Sequence, residues 1–213
     1  MAESGVIIAI VGAESTGKTT LAAELARALQ LNGVLATMVP EALRAFCDER
    51  QRTPTPQEQT QIAQAQSLSI AQAARTHDVV LADTTALMTA VYSDYLFDDT
   101  SLYAQALVDH ALVQLTLLTA LDLPWVSDGL QRDGGHVREP VDGLIRQALQ
   151  GAGLAYAVVS GQGSARLGQA LLTVQHALSA RQRALDNASR PRWRWVCDKC
   201  DDGDCEQHWL PRS

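Results

Sequence analysis

The sequence predicts a three-layer α/β fold in which a parallel five-stranded sheet lies between two layers of helices. Two observations support this prediction. Short apolar runs rich in β-branched residues, such as Val6–Val11, are typical of strands that are buried on both faces. Segments with helical spacing separate these runs, and alternating strands and helices imply right-handed crossovers between parallel strands.

The elements follow one another in a regular order. Leucines at four-residue spacing predict a first helix from Lys18 to about Gly33. A capping box at Thr55–Glu58 predicts a helix that extends to about Arg75, and the last helix is expected to end near Ala184. The five predicted strands are residues 6–11, 34–39, 79–82, 112–118 and 156–159.

The composition narrows the classes of partner. The chain has 213 residues, of which 46% are apolar, so it can bury a full hydrophobic core. Its formal net charge of −7 argues against a general nucleic-acid partner and favours a small substrate. We find no signal peptide and no apolar run long enough to cross a membrane, so a cytoplasmic location is expected. A homo-oligomer is compatible with this composition.

The clearest functional motif lies between the first strand and the first helix. Residues 12–19 fit the P-loop pattern G-x-x-x-x-G-K-[ST] in its expected place, which predicts a P-loop nucleoside triphosphatase fold. In such a loop, backbone N–H groups and the lysine bind phosphates, and the Thr hydroxyl binds Mg²⁺. ATP and Mg²⁺ are the expected cofactors; the alternative is a glycine-rich turn that binds nothing. The predicted binding residues are Gly12, Ala13, Glu14, Ser15, Thr16, Gly17, Lys18, Thr19 and Thr20, with Lys18 catalytic and Thr19 a Mg²⁺ ligand.

Polar residues follow two other predicted strands. Asp83 comes directly after the third strand, where it could bind Mg²⁺ or accept a hydroxyl proton, or only cap the next helix. Glu41 and Arg44 follow the second strand and are either solvated surface residues or a functional pair. As a pair, Glu41 would orient or deprotonate the acceptor hydroxyl, and Arg44 would bind phosphate or substrate.

The segment after the fourth strand has the composition of a lid. It carries glycines suited to a hinge, and its arginines Arg132 and Arg138 are candidates for stabilising charge on the γ-phosphate. The alternative is that both arginines are exposed residues of an ordinary loop.

Taken together, these motifs resemble the NadR-type ribosylnicotinamide kinase domain. The resemblance covers most of residues 6–180 and rests on the P-loop, on Asp83-Thr84, and on Asp122, Pro124, Trp125, Asp128 and Gly129 with Arg132 nearby. It implies ATP-dependent phosphorylation of the 5′-hydroxyl of nicotinamide riboside. The substrate contacts that it implies are Glu41, Arg44, Asp83, Trp125 and Asp128.

The chain departs from the pattern of that family at two positions. Thr85 replaces a second acidic residue two positions after the strand-end Asp83. Arg132 is also displaced by one position from the usual Asp-Gly-x-Arg. The first departure removes an expected contact to the ribose and leaves the acceptor open.

The C-terminal residues have the pattern of a metal site. Three cysteines and a histidine lie within twelve residues, which is typical of a tetrahedral Zn²⁺ site; an unligated tail is the alternative. We therefore expect a P-loop domain over residues 1–186 and a basic linker with a zinc-binding tail over residues 187–213. The predicted ligands are Cys197, Cys200, Cys205 and His208.

Two functions are consistent with this pattern. The first is a small-molecule kinase that transfers phosphate from a nucleoside triphosphate to a metabolite hydroxyl. The second is a regulatory ATPase or GTPase that signals through the tail. The P-loop predicts the donor in both cases, because it serves ATPases, GTPases and kinases alike.

Overall fold

The computed structural model describes residues 4–126 and 135–189. These residues form five strands, seven α-helices and two short 3₁₀ turns, which are joined by loops. The strands are β1 (Val6–Val11), β2 (Ala36–Val39), β3 (Val79–Asp83), β4 (Leu115–Thr119) and β5 (Ala157–Val159). The helices are α1 (Lys18–Leu31), α2 (Ala42–Arg50), α3 (Gln59–Ala73), α4 (Ala86–Phe97), α5 (Tyr103–His110), α6 (Arg138–Gly151) and α7 (Gly163–Ser189).

The strands form one parallel sheet in the order β2-β3-β1-β4-β5. The order reverses at β1, whose neighbours on either side are β3 and β4. In such sheets the crevice at the carboxyl ends of the strands, at the point of reversal, is where ligands bind. The loop after β1 therefore occupies the expected binding position.

Alternating residues of β1 separate the core into two layers. Ile8 and Ile10 pack with the leucines of α1 and with Val174 of α7. Ala9 and Val11 pack on the opposite face with residues of α4 and α6. Because side chains alternate across a strand, both faces of this central strand are covered by helices. The predicted three-layer fold with a five-stranded parallel sheet is confirmed.

The differences from the predicted elements are at their ends. Val34 donates its backbone N–H to Leu29 and closes the end of α1, so β2 begins only at Ala36. Leu112 and Val113 likewise bond back to the last turn of α5, and β4 begins at Leu115. Apolar residues that the pattern assigned to strands therefore close the ends of helices here.

The capping box at Thr55–Glu58 is confirmed. It begins a 3₁₀ turn over Pro56–Glu58, and α3 itself begins at Gln59. The last helix extends to Ser189 instead of ending near Ala184.

The chain divides into two compact units, residues 1–178 and 179–213. The described part of the second unit is helical and includes a hydrogen bond from Gln182 to Asp186. The predicted boundary at residue 187 lies within α7, and the division into domains stays a prediction. The predicted zinc ligands Cys197, Cys200, Cys205 and His208 lie outside the described residues. In the part of the chain that is described, no helix has the length and apolarity to cross a membrane.

Candidate nucleotide-binding site

The loop between β1 and α1 has a conformation that requires glycine at both of its ends. Gly12 has φ 151°, and a Cβ at this position would lie 2.0 Å from the hydroxyl oxygen of Thr119. Gly17 has φ 73° and forms the N-cap of α1. Both φ values belong to the region that favours glycine. The two glycines let the loop turn directly into the helix N-terminus, as phosphate binding requires.

Side chains within the loop stabilise its curvature. Lys18 donates from Nζ to the carbonyl oxygen of Ala13 at 2.9 Å, so its side chain folds back over the loop. Thr16 donates from its hydroxyl to the same carbonyl at 2.7 Å. The Thr16 hydroxyl also lies 2.7 Å from the hydroxyl of Thr119 at the end of β4. The loop is thereby joined to the neighbouring strand.

Arg166 of α7 stabilises the loop from the opposite side. Its guanidinium donates to the carbonyl oxygen of Thr16 at 2.7 Å and to that of Gly161 at 3.2 Å. The same group lies 3.4 Å from the carboxylate of Asp122. Arg166 is only 5% exposed, and this burial lowers the pKa of its guanidinium while Asp122 opposes the shift. No sequence motif singles out this arginine, because it acts on a residue 150 positions away.

A second contact joins the loop to the segment after β4. The Ser15 hydroxyl donates to the carbonyl oxygen of Val126 at 3.1 Å and accepts from its N–H at 2.8 Å. Trp125, a predicted substrate contact, lies beside Gly135 and is 36% exposed. It does not line the cavity described below.

Asp83 lies directly beside the start of α1. Thr19 donates from its hydroxyl to Oδ2 of Asp83 at 2.6 Å. Asp83 is 1% exposed, and its Oδ1 has no hydrogen-bond partner among the described residues. The alternative of an N-cap is wrong, because α4 begins at Ala86 and its N-cap is Thr85.

The oxygens of Thr19 and Asp83 fit a magnesium ion. A hydroxyl and a carboxylate are hard donors of the kind that Mg²⁺ prefers, and one Asp83 oxygen is left unpaired. Within residues 4–126 and 135–189, no three His, Cys, Asp or Glu side chains group closely enough to hold a metal. The remaining ligands of a Mg²⁺ ion here would therefore be phosphate oxygens and water.

Glu41 lies opposite the loop and is electrostatically linked to Lys18. Burial raises the pKa of Glu41, and the charge of Lys18 partly opposes this shift. Burial also lowers the pKa of Lys18, which the charges of Glu41 and Asp83 oppose. Arg44 lies one helical turn further, with its Nε 3.9 Å from Glu41. The site thus brings together Lys18, Glu41, Arg44 and Asp83 from three segments of the chain.

Gln66 joins the segments that carry the two carboxylates. Its Oε1 accepts a hydrogen bond from the backbone N–H of Ala42 at 2.7 Å, and its Nε2 donates to the carbonyl oxygen of Thr84 at 3.3 Å. Ala42 follows Glu41, and Thr84 follows Asp83. The sequence analysis missed Gln66, because it is one of several glutamines in α3 and its two long-range hydrogen bonds form only in the folded chain.

Thr85 is part of a buried polar cluster. Its hydroxyl lies 3.0 Å from Nδ1 of His110, whose Nε2 lies 2.9 Å from the hydroxyl of Thr116. Burial lowers the pKa of His110 to about 4. At the position where the resemblance expects an acidic residue, this chain therefore has a residue at the N-cap position of α4 whose hydroxyl bonds to a neutral histidine and not to the helix.

A cavity of about 610 Å³ extends from the phosphate loop to α2 and α4. Its polar end is lined by loop residues 14–20, Glu41 and Arg44. Its other end is lined largely by apolar and aromatic side chains, among them Leu43, Met88, Tyr92 and Phe97, with the buried Gln59. A cavity that joins a phosphate-binding loop to an apolar wall can hold two ligands end to end.

Of the two arginines predicted to act in a lid, Arg138 lies among the described residues and Arg132 does not. Arg138 is the first residue of α6 and is 8% exposed; its Nε and Nη2 have no hydrogen-bond partner among the described residues. Arg132 and Asp128 lie outside the described residues. The roles expected of these three residues stay predictions.

Solved structures with a similar fold include two of NadR. The structure described as NadR protein in complex with NR has a TM-score of 0.68, and the one in complex with NAD and AMP-PNP has 0.64; both are 18% identical. The matches cover 81% of this chain and 51% and 49% of the NadR chains. This chain therefore spans about half the length of those proteins. The resemblance to the NadR-type domain is confirmed at the level of the fold.

Thymidylate kinase from Ehrlichia chaffeensis is also similar, with a TM-score of 0.55 and 18% identity over 83% of this chain and all of that chain. Among curated proteins, no significant sequence match was found. A model of the family AAA_28, described as an AAA domain, matches residues 7–166. The match includes the phosphate loop, Asp83 and Arg166. The chain belongs to this family of AAA domains.

Proposed function

We propose that this protein is a kinase that transfers the γ-phosphate of ATP to a hydroxyl group of a small nucleoside-like acceptor. One observation carries the proposal: a single cavity is lined by the phosphate loop with Lys18 and by the carboxylate of Glu41. A protein that only hydrolyses nucleotide needs no second, largely apolar compartment beside the phosphate site. The likeness to the folds of NadR and thymidylate kinase supports the same class of reaction.

The donor binds at the loop. The backbone N–H groups of residues 12–20 and the positive end of α1 bind the phosphates, and Lys18 exchanges its bond to the Ala13 carbonyl for the β- and γ-phosphates. Thr19 and Asp83 hold Mg²⁺, which when bound supplies charge neutralisation on the phosphate oxygens. The position of Asp83 against Thr19 supports this role.

The acceptor binds between α2, α3 and α4. Glu41 orients the attacking hydroxyl and takes its proton, as its place in the cavity wall supports. The hydroxyl oxygen forms a bond to the γ-phosphorus, the bond from that phosphorus to the bridging oxygen breaks, and ADP leaves. Arg44 lies in the same wall and offsets the negative charge there.

The arginines after β4 complete the proposal. A buried guanidinium such as that of Arg138 is stable only with an anion nearby, and a phosphate would provide one. We assign the same role to Arg132, and substrate contacts to Trp125 and Asp128, on the basis of the resemblance alone.

Nicotinamide riboside is the first acceptor to test, because NadR in complex with NR has a similar fold and the motifs resemble that family. Purified protein is incubated with Mg-ATP and a panel of ribosides and deoxyribosides, and products are identified by mass spectrometry. We expect one phosphorylated acceptor and equimolar ADP. Slow ATP hydrolysis without transfer to any acceptor would favour the regulatory ATPase instead.

Matched variants test the assignment of the loop. Lys18→Ala is expected to weaken ATP binding and to abolish transfer, because it removes a direct phosphate contact. Arg27→Ala removes an exposed cation from the same helix and is expected to change neither. Equal nucleotide affinity in the two variants would refute the assignment.

A further inference from the structure

The side chain of Gln66 links the two segments that carry Glu41 and Asp83. It is 2% exposed and lies in the middle of α3, on the buried face of that helix. Its side chain does not line the 610 Å³ cavity, and its two hydrogen bonds go to Ala42 and Thr84, not to the phosphate loop. Whatever Gln66 contributes to function is therefore transmitted through the backbone groups that it bonds.

The first of these groups is the start of α2. The four N-terminal N–H groups of a helix have no partner within it, and Glu41, the N-cap of α2, makes no side-chain cap. Gln66 supplies the missing acceptor to Ala42 at 2.7 Å from another helix. This bond holds the first peptide group of α2 and, through it, the backbone of Glu41.

The second group is the carbonyl of Thr84, in a strained turn. Thr84 has φ 72°, which is costly for a β-branched residue and persists only where its surroundings determine it. Its N–H bonds to the carbonyl of Ile10 at 3.1 Å, and its own carbonyl accepts from Gln66. The turn directs the chain from Asp83 into α4.

The two bonds also determine the orientation of the amide. The Ala42 N–H needs an acceptor and the Thr84 carbonyl needs a donor, so Gln66 must present oxygen to one and nitrogen to the other. Neither a carboxylate nor an apolar side chain of the same length can satisfy both groups.

We propose that Gln66 is a positioning residue that sets the distance between the carboxylates of Glu41 and Asp83. The inference rests on the proposed function, in which Glu41 orients the acceptor and Asp83 holds the metal on the donor. In-line transfer requires the acceptor hydroxyl and the γ-phosphate to be aligned. A misplacement of about 1 Å can reduce the rate about 100-fold. Gln66 therefore affects the transfer step while leaving nucleotide binding intact.

The test compares Gln66→Met with Gln64→Met. Methionine keeps the length of the side chain but not its polar groups, and Gln64 is an exposed glutamine of the same helix. We expect Gln66→Met to lower kcat about 10- to 100-fold, to change the Kd for AMP-PNP less than 2-fold, and to increase the ratio of ATP hydrolysis to phosphoryl transfer. Gln64→Met should match the wild type. Assays are made at a temperature where thermal melting shows every variant to be folded.

Gln66→Glu separates the two bonds. At alkaline pH, where the introduced carboxyl is ionised, it keeps an acceptor for the Ala42 N–H but has no proton to donate to the Thr84 carbonyl, so it should retain the first bond and lose the second. We expect kcat to fall in this variant as well. If Gln66 acted only by stabilising α2, kcat would stay at the wild-type value, because the bond to Ala42 is kept. A kcat within 2-fold of wild type in Gln66→Met, or a parallel loss of nucleotide affinity and kcat, would overturn the inference.

An NMR measurement decides the inference even if no acceptor is phosphorylated. In ¹⁵N-labelled full-length protein, Gln66→Met should shift the amide signals of Ala42 and of Thr85, whose N–H belongs to the same peptide group as the Thr84 carbonyl, and leave those of residues 12–18 in place. If the wild type transfers no phosphate, the proposed function has failed. If either amide signal is unchanged, the coupling itself is refuted.

Discussion

The guanidinium of Arg166 donates a hydrogen bond to the carbonyl oxygen of Thr16 at 2.7 Å. This bond joins the first turn of α7 to the middle of the phosphate loop, and it is buried. The P-loop of this protein is therefore stabilised by a residue near the end of the domain as well as by its own glycines. Several consequences of this architecture can be measured.

Arg166→Ala is expected to raise the Kd for ATP about tenfold. The change leaves the buried Thr16 carbonyl without its donor, which costs about 1–3 kcal/mol, and it removes a restraint on the loop. Fluorescence titration with a nucleotide analogue measures the affinity, and urea unfolding measures the stability. Arg50→Ala is the control, because it breaks an exposed ion pair with Glu49 and should cost less than about 1 kcal/mol. Equal effects of the two changes would contradict the proposed restraint.

Gly12→Ala is expected to abolish nucleotide binding and to destabilise the fold by about 3 kcal/mol or more, as overpacking at a strained position does. The new Cβ would lie 2.0 Å from the Thr119 hydroxyl, and φ 151° is unfavourable for alanine. Gly143→Ala is the control. Gly143 lies within α6 with no atom near its expected Cβ, so alanine there should stabilise by about 0.5–1 kcal/mol. Thermal denaturation distinguishes the two, and a stable, binding-competent Gly12→Ala would show that the loop can rearrange.

His110 is expected to make stability depend on pH between about 6.5 and 4. The unfolded chain binds a proton at His110 below pH 6.5, whereas the folded chain, with a pKa of about 4, does not. The contribution of His110 to the free energy of unfolding is therefore fully present above pH 6.5 and is lost as the pH falls toward 4. When the pH is lowered from 7.5 to 5, this residue should reduce the free energy of unfolding by about 2 kcal/mol.

His110→Asn tests this pH dependence by urea unfolding. Asparagine does not titrate, so the variant should be less stable than wild type at pH 7.5 and the difference should shrink at pH 5. His176→Asn, at an exposed position, should leave the pH dependence of wild type unchanged. A constant difference between wild type and His110→Asn across this range would show that His110 does not titrate as expected.

Gln59 is expected to contact the acceptor. It is a buried residue of the cavity wall, and its Oε1 has no hydrogen-bond partner among the described residues. A bidentate interaction between Arg52 and Glu58 and the capping box at Thr55 hold the turn before it. The amide is thus presented to the cavity by a rigid segment, as binding groups commonly are.

Gln59→Leu should raise the KM for the acceptor that the wild type phosphorylates about tenfold, because a hydrogen bond of about 1.4 kcal/mol is lost, and should leave the affinity for ATP unchanged. Gln61→Leu, at an exposed position two residues further, is the control. An unchanged KM in Gln59→Leu would place the acceptor elsewhere in the cavity.

Most of the fold and the donor site could be predicted from local patterns. The P-loop motif is contiguous, and its position between a buried strand and a helix follows from residues within about one helical turn of it. Asp83 was predicted because strand ends share one edge of a parallel sheet. The ends of β2 and β4 could not be predicted, since Val34, Leu112 and Val113 have the apolar character of strands but bond to the preceding helices.

Arg166, Gln66 and Gln59 illustrate what local patterns do not contain. Each is a common residue type in an unremarkable helical context, and each gains its role from a partner or cavity formed by distant segments. The choice between alternatives for Asp83 was of the same kind. Only the contact with Thr19, 64 residues away, and the start of α4 at Ala86 excluded the capping role.

The sequence by itself determined the class of the protein, an alternating α/β chain with a phosphate loop. Such a loop binds phosphate through backbone N–H groups, which any loop with this pattern presents. The tertiary structure decided which side chains meet that loop, namely Arg166 at its back, Asp83 at its side and Glu41 across the cavity. The physical reason is that hydrophobic periodicity reports only whether a face is buried. Which partners share that burial depends on how parallel strands bring remote segments to one edge of the sheet.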